Sequence, residues 1–103
     1  MLFKNSIQGG KTELYSSEEG WTLSEGNGDR SFWKRIVFDR EFMHTPFVTA
    51  SLSGIDASKD NNLRLVLQPH NVTPFAFDLE VRTWADTTIS YVALTWMAYE
   101  IIG

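Results

Sequence analysis

The sequence predicts an all-β fold, a six-stranded antiparallel β-sandwich. Three observations carry that prediction. Segments rich in β-branched and aromatic residues alternate with turn residues at short intervals. Within the clearest segment apolar and polar residues alternate with period two, Phe75, Phe77, Leu79 and Val81 against Ala76, Asp78, Glu80 and Arg82. No segment carries a helical stripe, so the layers that bury the apolar faces are expected to be sheets.

Taken in order, the elements justify themselves from their boundaries. The N-terminal segment is expected to be a short strand closed by Gly9-Gly10, and Gly20 precedes Trp21. Ser24 to Arg30 is a polar, Gly-rich loop. Strands are then predicted over Phe32–Phe38, Phe47–Ile55, Leu63–Leu67, Phe75–Trp84 and Thr88–Ile101. They are separated by Pro46, by the Asp56–Asn62 run and by Asn71–Pro74. In the fourth segment Leu63, Leu65 and Leu67 alternate with Arg64, Val66 and Gln68, which assigns Arg64 to the outer face. The last segment is apolar on both parities: Ile89, Tyr91, Ala93 and Met97 on one side, Val92, Leu94, Trp96 and Ala98 on the other. Such a strand is covered twice, either by neighbouring subunits or as a central strand within the monomer.

At 103 residues, 43% hydrophobic and 14% aromatic, with four Trp and seven Phe, the chain is expected to form one domain over residues 1–103 with its own core. A formal charge of −4 disfavours nucleic acid, whose binding depends on cationic side chains. Without cysteine there is no disulfide, thiolate nucleophile or Cys-based zinc site. The start, Met1 to Ser6, lacks the apolar run of a signal peptide, and no stretch approaches the roughly 18 apolar residues of a membrane span. A soluble chain without membrane insertion is expected, and both a cytoplasmic location and secretion without a signal peptide stay open. Asn71-Val72-Thr73 is followed at once by Pro74 and reads as turn chemistry rather than a glycan acceptor.

Catalytic chemistry finds little to work with. His44 and His70 are far apart, each near a proline, and no nucleophile triad order, phosphate loop, dinucleotide fingerprint or zinc-protease motif is present. No catalytic residue, metal or cofactor is therefore assigned, and carboxylate pairs such as Asp56 with Asp60 or Glu18 with Glu19 read as solvated loop charges. Trp84 is the outlier. It continues the parity of Asp78, Glu80 and Arg82 and should project from the outer face at its strand's end. An indole face packs against the C–H groups of a sugar ring, and Arg64 can donate several fixed hydrogen bonds to hydroxyls. Asp29, in the Gly26-Asn27-Gly28-Asp29 loop, could accept from hydroxyls or an N-acetyl N–H. Each residue also has a plain alternative: a subunit contact for Trp84, an ion pair with Asp78, Glu80 or Asp86 for Arg64, a turn position for Asp29.

At these residues the chain resembles the H-type lectin family, the sugar-binding domain of snail agglutinins and slime-mould discoidins. The resemblance runs through Gly20-Trp21, Gly28-Asp29-Arg30, Ile36-Val37-Phe38 with Phe42, Pro46-Phe47-Val48 and Leu52 to Asp56. It continues through Asn62-Leu63-Arg64, Asn71-Val72-Thr73 with Phe77, Thr83 to Thr87, and Thr95-Trp96. It implies a trimer that stacks in some members into a hexamer, with terminal N-acetylgalactosamine or galactose bound between neighbouring subunits. By position Arg64 matches the family's sugar-binding arginine, Trp84 its site tryptophan, and Asp29 its loop aspartate, a role that Asn27 or Gly28 takes if the shorter loop shifts the register. Two positions depart from the family. Ala85 and Ser90 stand where the snail proteins have a His and a Tyr that line the pocket, while Tyr91 faces the other way by parity. A multivalent lectin is the first expectation, and a structural or adhesion module that keeps the fold but has altered the sugar site is the alternative.

Overall fold

The computed structural model describes residues 4–102, with side chains described for residues 6–100. Six strands follow one another: β1 (Lys4–Tyr15), β2 (Arg30–Val37), β3 (Phe47–Ala57), β4 (Val66–His70), β5 (Ala76–Thr83) and β6 (Ile89–Ile102). They form two three-stranded antiparallel sheets, ordered β1-β6-β3 and β2-β5-β4. The expected sandwich is present. No described helix is long and apolar enough to cross a membrane.

The core is what the alternation predicts from Phe77 onward, whereas Phe75, ahead of β5, is 58% exposed and Ala76 is buried. Phe77, Leu79 and Val81 of β5 are at most 1% exposed and meet Leu14, Val92, Leu94 and Ala98 from the opposite sheet. Phe32 and Ile36 complete the inward side of β2, while Leu23, Phe38 and Phe42 enter from loops. Lys34 has inward parity but sits on an edge strand, and its ammonium escapes to Glu18 at 3.5 Å.

Three further details differ from the sequence reading, each for a specific physical reason. Gly9-Gly10 does not end a strand. The pair lies in the middle of β1, where a Cβ on Gly10 would come within 2.9 Å of the Trp96 indole, so the missing side chain makes room for a core ring. Leu63–Leu67 is not the fourth strand. The Arg64 carbonyl accepts the Thr83 hydroxyl at 2.6 Å and the Asn62 carbonyl accepts that of Thr87, so this stretch is held by side chains rather than by a ladder. Pairing begins at Val66 and continues through Pro69, which an edge strand tolerates. Leu63, accordingly, is 53% exposed. Finally, Ile89 is buried on the same side as Val92. The register shift against Asp56 and Ala57 places a bulge at Ser90 that reverses parity there.

The Asn71–Thr73 turn behaves as expected. Asn71 takes a left-handed φ of 51°, and the Thr73 hydroxyl accepts from the amides of Phe75 and Ala76.

Candidate functional site

One end of the sandwich gathers three connections: the loop 24–30 before β2, the segment 61–64 before β4, and the turn 84–88 between β5 and β6. All three are polar segments whose backbone must find partners outside a ladder. Arg30, the first residue of β2, supplies most of them for the first loop. Its Nε donates to the Gly28 carbonyl (3.0 Å), Nη1 to Glu25 (2.9 Å), and Nη2 to Ala85 (2.9 Å) and Thr87 (2.8 Å). A guanidinium presents these donors in one rigid plane, so the loop and the turn are fixed relative to each other. The Gly28 amide adds a direct bond to the same Ala85 carbonyl at 3.0 Å. Gly26 and Gly28 both have φ near 90°, a conformation other residues rarely adopt. Ala85 pays for holding its carbonyl there with a left-handed φ of 56°.

The third connection joins through Arg64. Its Nη1 donates to the Asp86 carboxylate (2.9 Å) and to the Thr87 hydroxyl (3.1 Å), and the Asn61 amide donates to the Asp86 carbonyl at 2.7 Å. The ion pair with Asp86 is therefore formed. The Arg64 side chain keeps 25% of its exposure, and both of its bonds are made by Nη1. Trp84, at the end of β5, is half-buried, with the Arg82 guanidinium carbon 5.7 Å from its ring centroid. Asn27 accepts the Gly28 amide through its own side chain at 2.8 Å. Asp29 is exposed, and its carboxylate has no hydrogen bond or ion pair among the described residues.

The sequence-predicted residues Asn27, Gly28, Asp29, Arg64 and Trp84 are thus on connections laced together at one end. Ser90 is set apart. It lies at the start of β6 in the other sheet, its hydroxyl bonded to the Asp56 carbonyl at 3.3 Å, and it lines a shallow pocket with Ser24, Asp56, Ser58 and Thr88. Arg30, Asn61 and Thr87 were missed as contributors, while Asp86 is among the ion-pair partners expected for Arg64. An arginine placed directly after a Gly-rich loop was the available signal for the first, since such a loop has more free carbonyls than its own amides can satisfy.

Comparison with known proteins gives this geometry its context. The family model for the H-type lectin domain matches residues 33–99. A protein of Fuscovulum blasticum named ATP synthase subunits region ORF 7 is 33% identical over 91 residues, covering 88% of this chain and 79% of that protein. Among solved structures, recombinant discoidin II of Dictyostelium discoideum superposes with a TM-score of 0.85 at 24% identity, over 96% of this chain and 38% of that one. Wild-type discoidin II gives 0.83 at 24% identity, over 94% and 37%. The chain thus spans less than two fifths of the discoidin II chain, and at this identity the likeness is one of fold. This is a domain of the lectin class, whose members bind carbohydrate rather than catalyse a reaction. It belongs to the H-type lectin family.

Proposed function

We propose that residues 1–103 act as one lectin unit that binds terminal N-acetylgalactosamine or galactose residues of glycans at sites completed between subunits of a trimer or hexamer. The observation that carries this reading is the lacing of loop 24–30, segment 61–64 and turn 84–88 around Arg30 and Arg64, with Trp84 beside them. In it Trp84 is the platform for the apolar face of the sugar, Arg64 donates to ring hydroxyls, and the free Asp29 carboxylate accepts from the galacto-configured hydroxyl or an N-acetyl N–H. Asn27 and Gly28 shape the loop that carries Asp29. Ser90 faces a different side of the same end, where it contributes to the site of a neighbouring subunit.

The outer face of the β1-β6-β3 sheet supports the assembly. Ile7, Tyr15, Phe47 and Met97 are 45–67% exposed on it, flanking Gly9 and the nearly buried Ala93. Ile7, Phe47 and Met97 gather around Tyr99 at one end of the face, as an apolar patch that protomers hide by association, while Tyr15 stands beside Tyr91 toward the other end. The Tyr15 and Tyr91 hydroxyls on this face both donate to Glu13 Oε2. These bonds, that of Tyr15 foremost, hold the Glu13 carboxyl below its usual range. Weak individual sites repeated in such an assembly gain avidity for clustered glycans.

A second reading, an assembly or adhesion module with an altered sugar site, is favoured by the commitment of Arg64 Nη1 to Asp86 and Thr87 and by the absence of a ring at Ala85 and Ser90. A glycan array of the purified protein with its Trp84→Ala and Arg64→Ala variants decides between them, with sedimentation confirming that each stays assembled. Galacto-type binding lost in both variants supports the lectin reading. Intact assembly without wild-type binding supports the module.

A further inference from the structure

The outer face of the β2-β5-β4 sheet carries a side-chain cluster that the site described above does not use. Trp33 lies on β2 opposite Glu80 of β5, and Gln68 of β4 flanks Glu80 on its other side. The Trp33 indole, 51% exposed, sits 5.1 Å from the His70 ring at a 55° tilt. The His70 Nε2 is 2.8 Å from Glu80 Oε1, and the Ser31 hydroxyl donates to Glu80 Oε2 at 2.6 Å. The side chain of Glu80 is only 14% exposed, so its two oxygens are held inside the cluster and fix the ring and hydroxyl around it.

The geometry points to a second, shallow carbohydrate-binding platform at Trp33, His70 and Gln68, separate from the Trp84 end. A pyranose is apolar on a C–H face and polar around its rim, and the cluster offers the matching halves: an open indole beside a ring of oriented polar groups. In the tautomer that donates Nε2–H to the Glu80 carboxylate, the His70 Nδ1 is left as an acceptor for a sugar hydroxyl. The exposed Gln68 amide supplies both a donor and an acceptor on the neighbouring strand. The Ser31 bond, and after it the His70 bond, keep the Glu80 carboxyl below its ordinary range, so its oxygens remain acceptors for both partners.

A second copy of the chain fits this face poorly. Its surroundings are charged, with Arg35 paired to Asp78 at 3.4 Å and Arg82 further along β5. Among its large hydrophobics only Trp33 and Val37 are substantially exposed. Charged residues are depleted from the cores of protein interfaces, whereas one open ring among polar groups is what a single sugar needs.

The four tryptophans give four indole N–H resonances in a 15N-labelled protein, and Trp33 and Trp84 report the two sites separately. Galacto-, gluco- and manno-configured mono- and disaccharides would be titrated to about 50 mM, well above the millimolar affinity typical of a single shallow site. At least one sugar is expected to shift the Trp33 resonance saturably in the wild type and equally in the Trp84→Ala variant. That shift should disappear in His70→Ala, whose Trp33 remains as the reporter. A Trp33 resonance unmoved by every sugar overturns the platform, as does a shift that vanishes in Trp84→Ala. The Trp84 resonance answers separately for the proposed galacto site, so either idea can fail without the other.

Discussion

The two ends of the sandwich are each fastened by one charged side chain, and the two fasteners are chemical opposites. At the end carrying Trp84, the cation Arg30 gathers four carbonyl groups, those of Glu25, Gly28, Ala85 and Thr87. At the other end the anion Glu100 of β6 gathers amides, accepting from Met43 at 2.9 Å and His44 at 2.8 Å. Its setting is different too. Glu100 is 4% exposed, beneath a segment whose Phe38 and Phe42 pack edge to face in the core and whose Phe42 amide reaches the Pro74 carbonyl. The Glu100 end is a plug, with aromatic burial doing most of the holding. The Arg30 end buries Leu23 and packs Trp21 on Phe32, but its connections 24–30, 61–64 and 84–88 are joined to one another by polar bonds, which leaves Trp84, Arg64 and Asp29 within reach of a ligand.

The contrast is broken most directly at Glu100. Glu100→Ala strands two amides that are deprived of their acceptor in a buried setting, and the cost is expected at about 2–4 kcal/mol. Chemical denaturation would read it as a lower midpoint with an unchanged slope. Glu100→Gln keeps one acceptor oxygen and should lose roughly half as much. Sugar affinity of the folded fraction should be unchanged in both, because the site is at the opposite end. A Glu100→Ala variant as stable as the wild type would mean that the aromatic plug alone holds that end.

Arg30 is expected to show the reverse balance. Its bonds are partly solvated, so Arg30→Ala should cost only about 1–2 kcal/mol of stability. Yet it releases the loop bearing Asp29 from the turn bearing Trp84, and affinity for galacto-type glycans should fall by about tenfold or more, since positioning the groups beforehand is part of what binding requires. Isothermal titration beside a melting curve separates the two effects. Arg30→Lys should fail to restore affinity, because an ammonium has no planar fork to span four carbonyls. Affinity that follows stability in both variants would make Arg30 a general brace rather than a positioning residue.

The same contrast explains what was legible in the sequence. The sandwich, the inward row of β5 and the loop 24–30 follow from period-two alternation and turn residues, which are local signals. Gly9-Gly10 misleads because its purpose is set by Trp96, 86 residues further on from Gly10, and no local pattern records a close approach across a sheet. Leu63 to Leu67 misleads for a related reason: alternation fits a strand, but the hydroxyls of Thr83 and Thr87 take the carbonyls first. At the site, chemical type made Trp84, Arg64 and Asp29 candidates. Arg30 and Glu100 were invisible in their roles, since a charged residue beside a loop looks the same whether it faces water or gathers a backbone.

The smallest expected effect is at Ala85, where the lectin end stores strain. A left-handed φ at a residue with a Cβ costs on the order of 1 kcal/mol, and glycine adopts it freely. Glycine also adds freedom to the unfolded chain, which cancels part of that gain. Ala85→Gly should therefore stabilise the protein by about 0.5 kcal/mol while leaving sugar affinity within about twofold of the wild type. Ala85→Val tests the same point from the other side, because a β-branched residue is a true outlier in that region. It should lose about 1–2 kcal/mol and weaken binding as well, since turning the Ala85 carbonyl away breaks its bonds to the Gly28 amide and to Arg30 together. If Ala85→Val weakened stability but left affinity intact, Gly28 and Asp29 would be held by the loop itself, and the lacing of the two connections would serve the fold rather than the sugar.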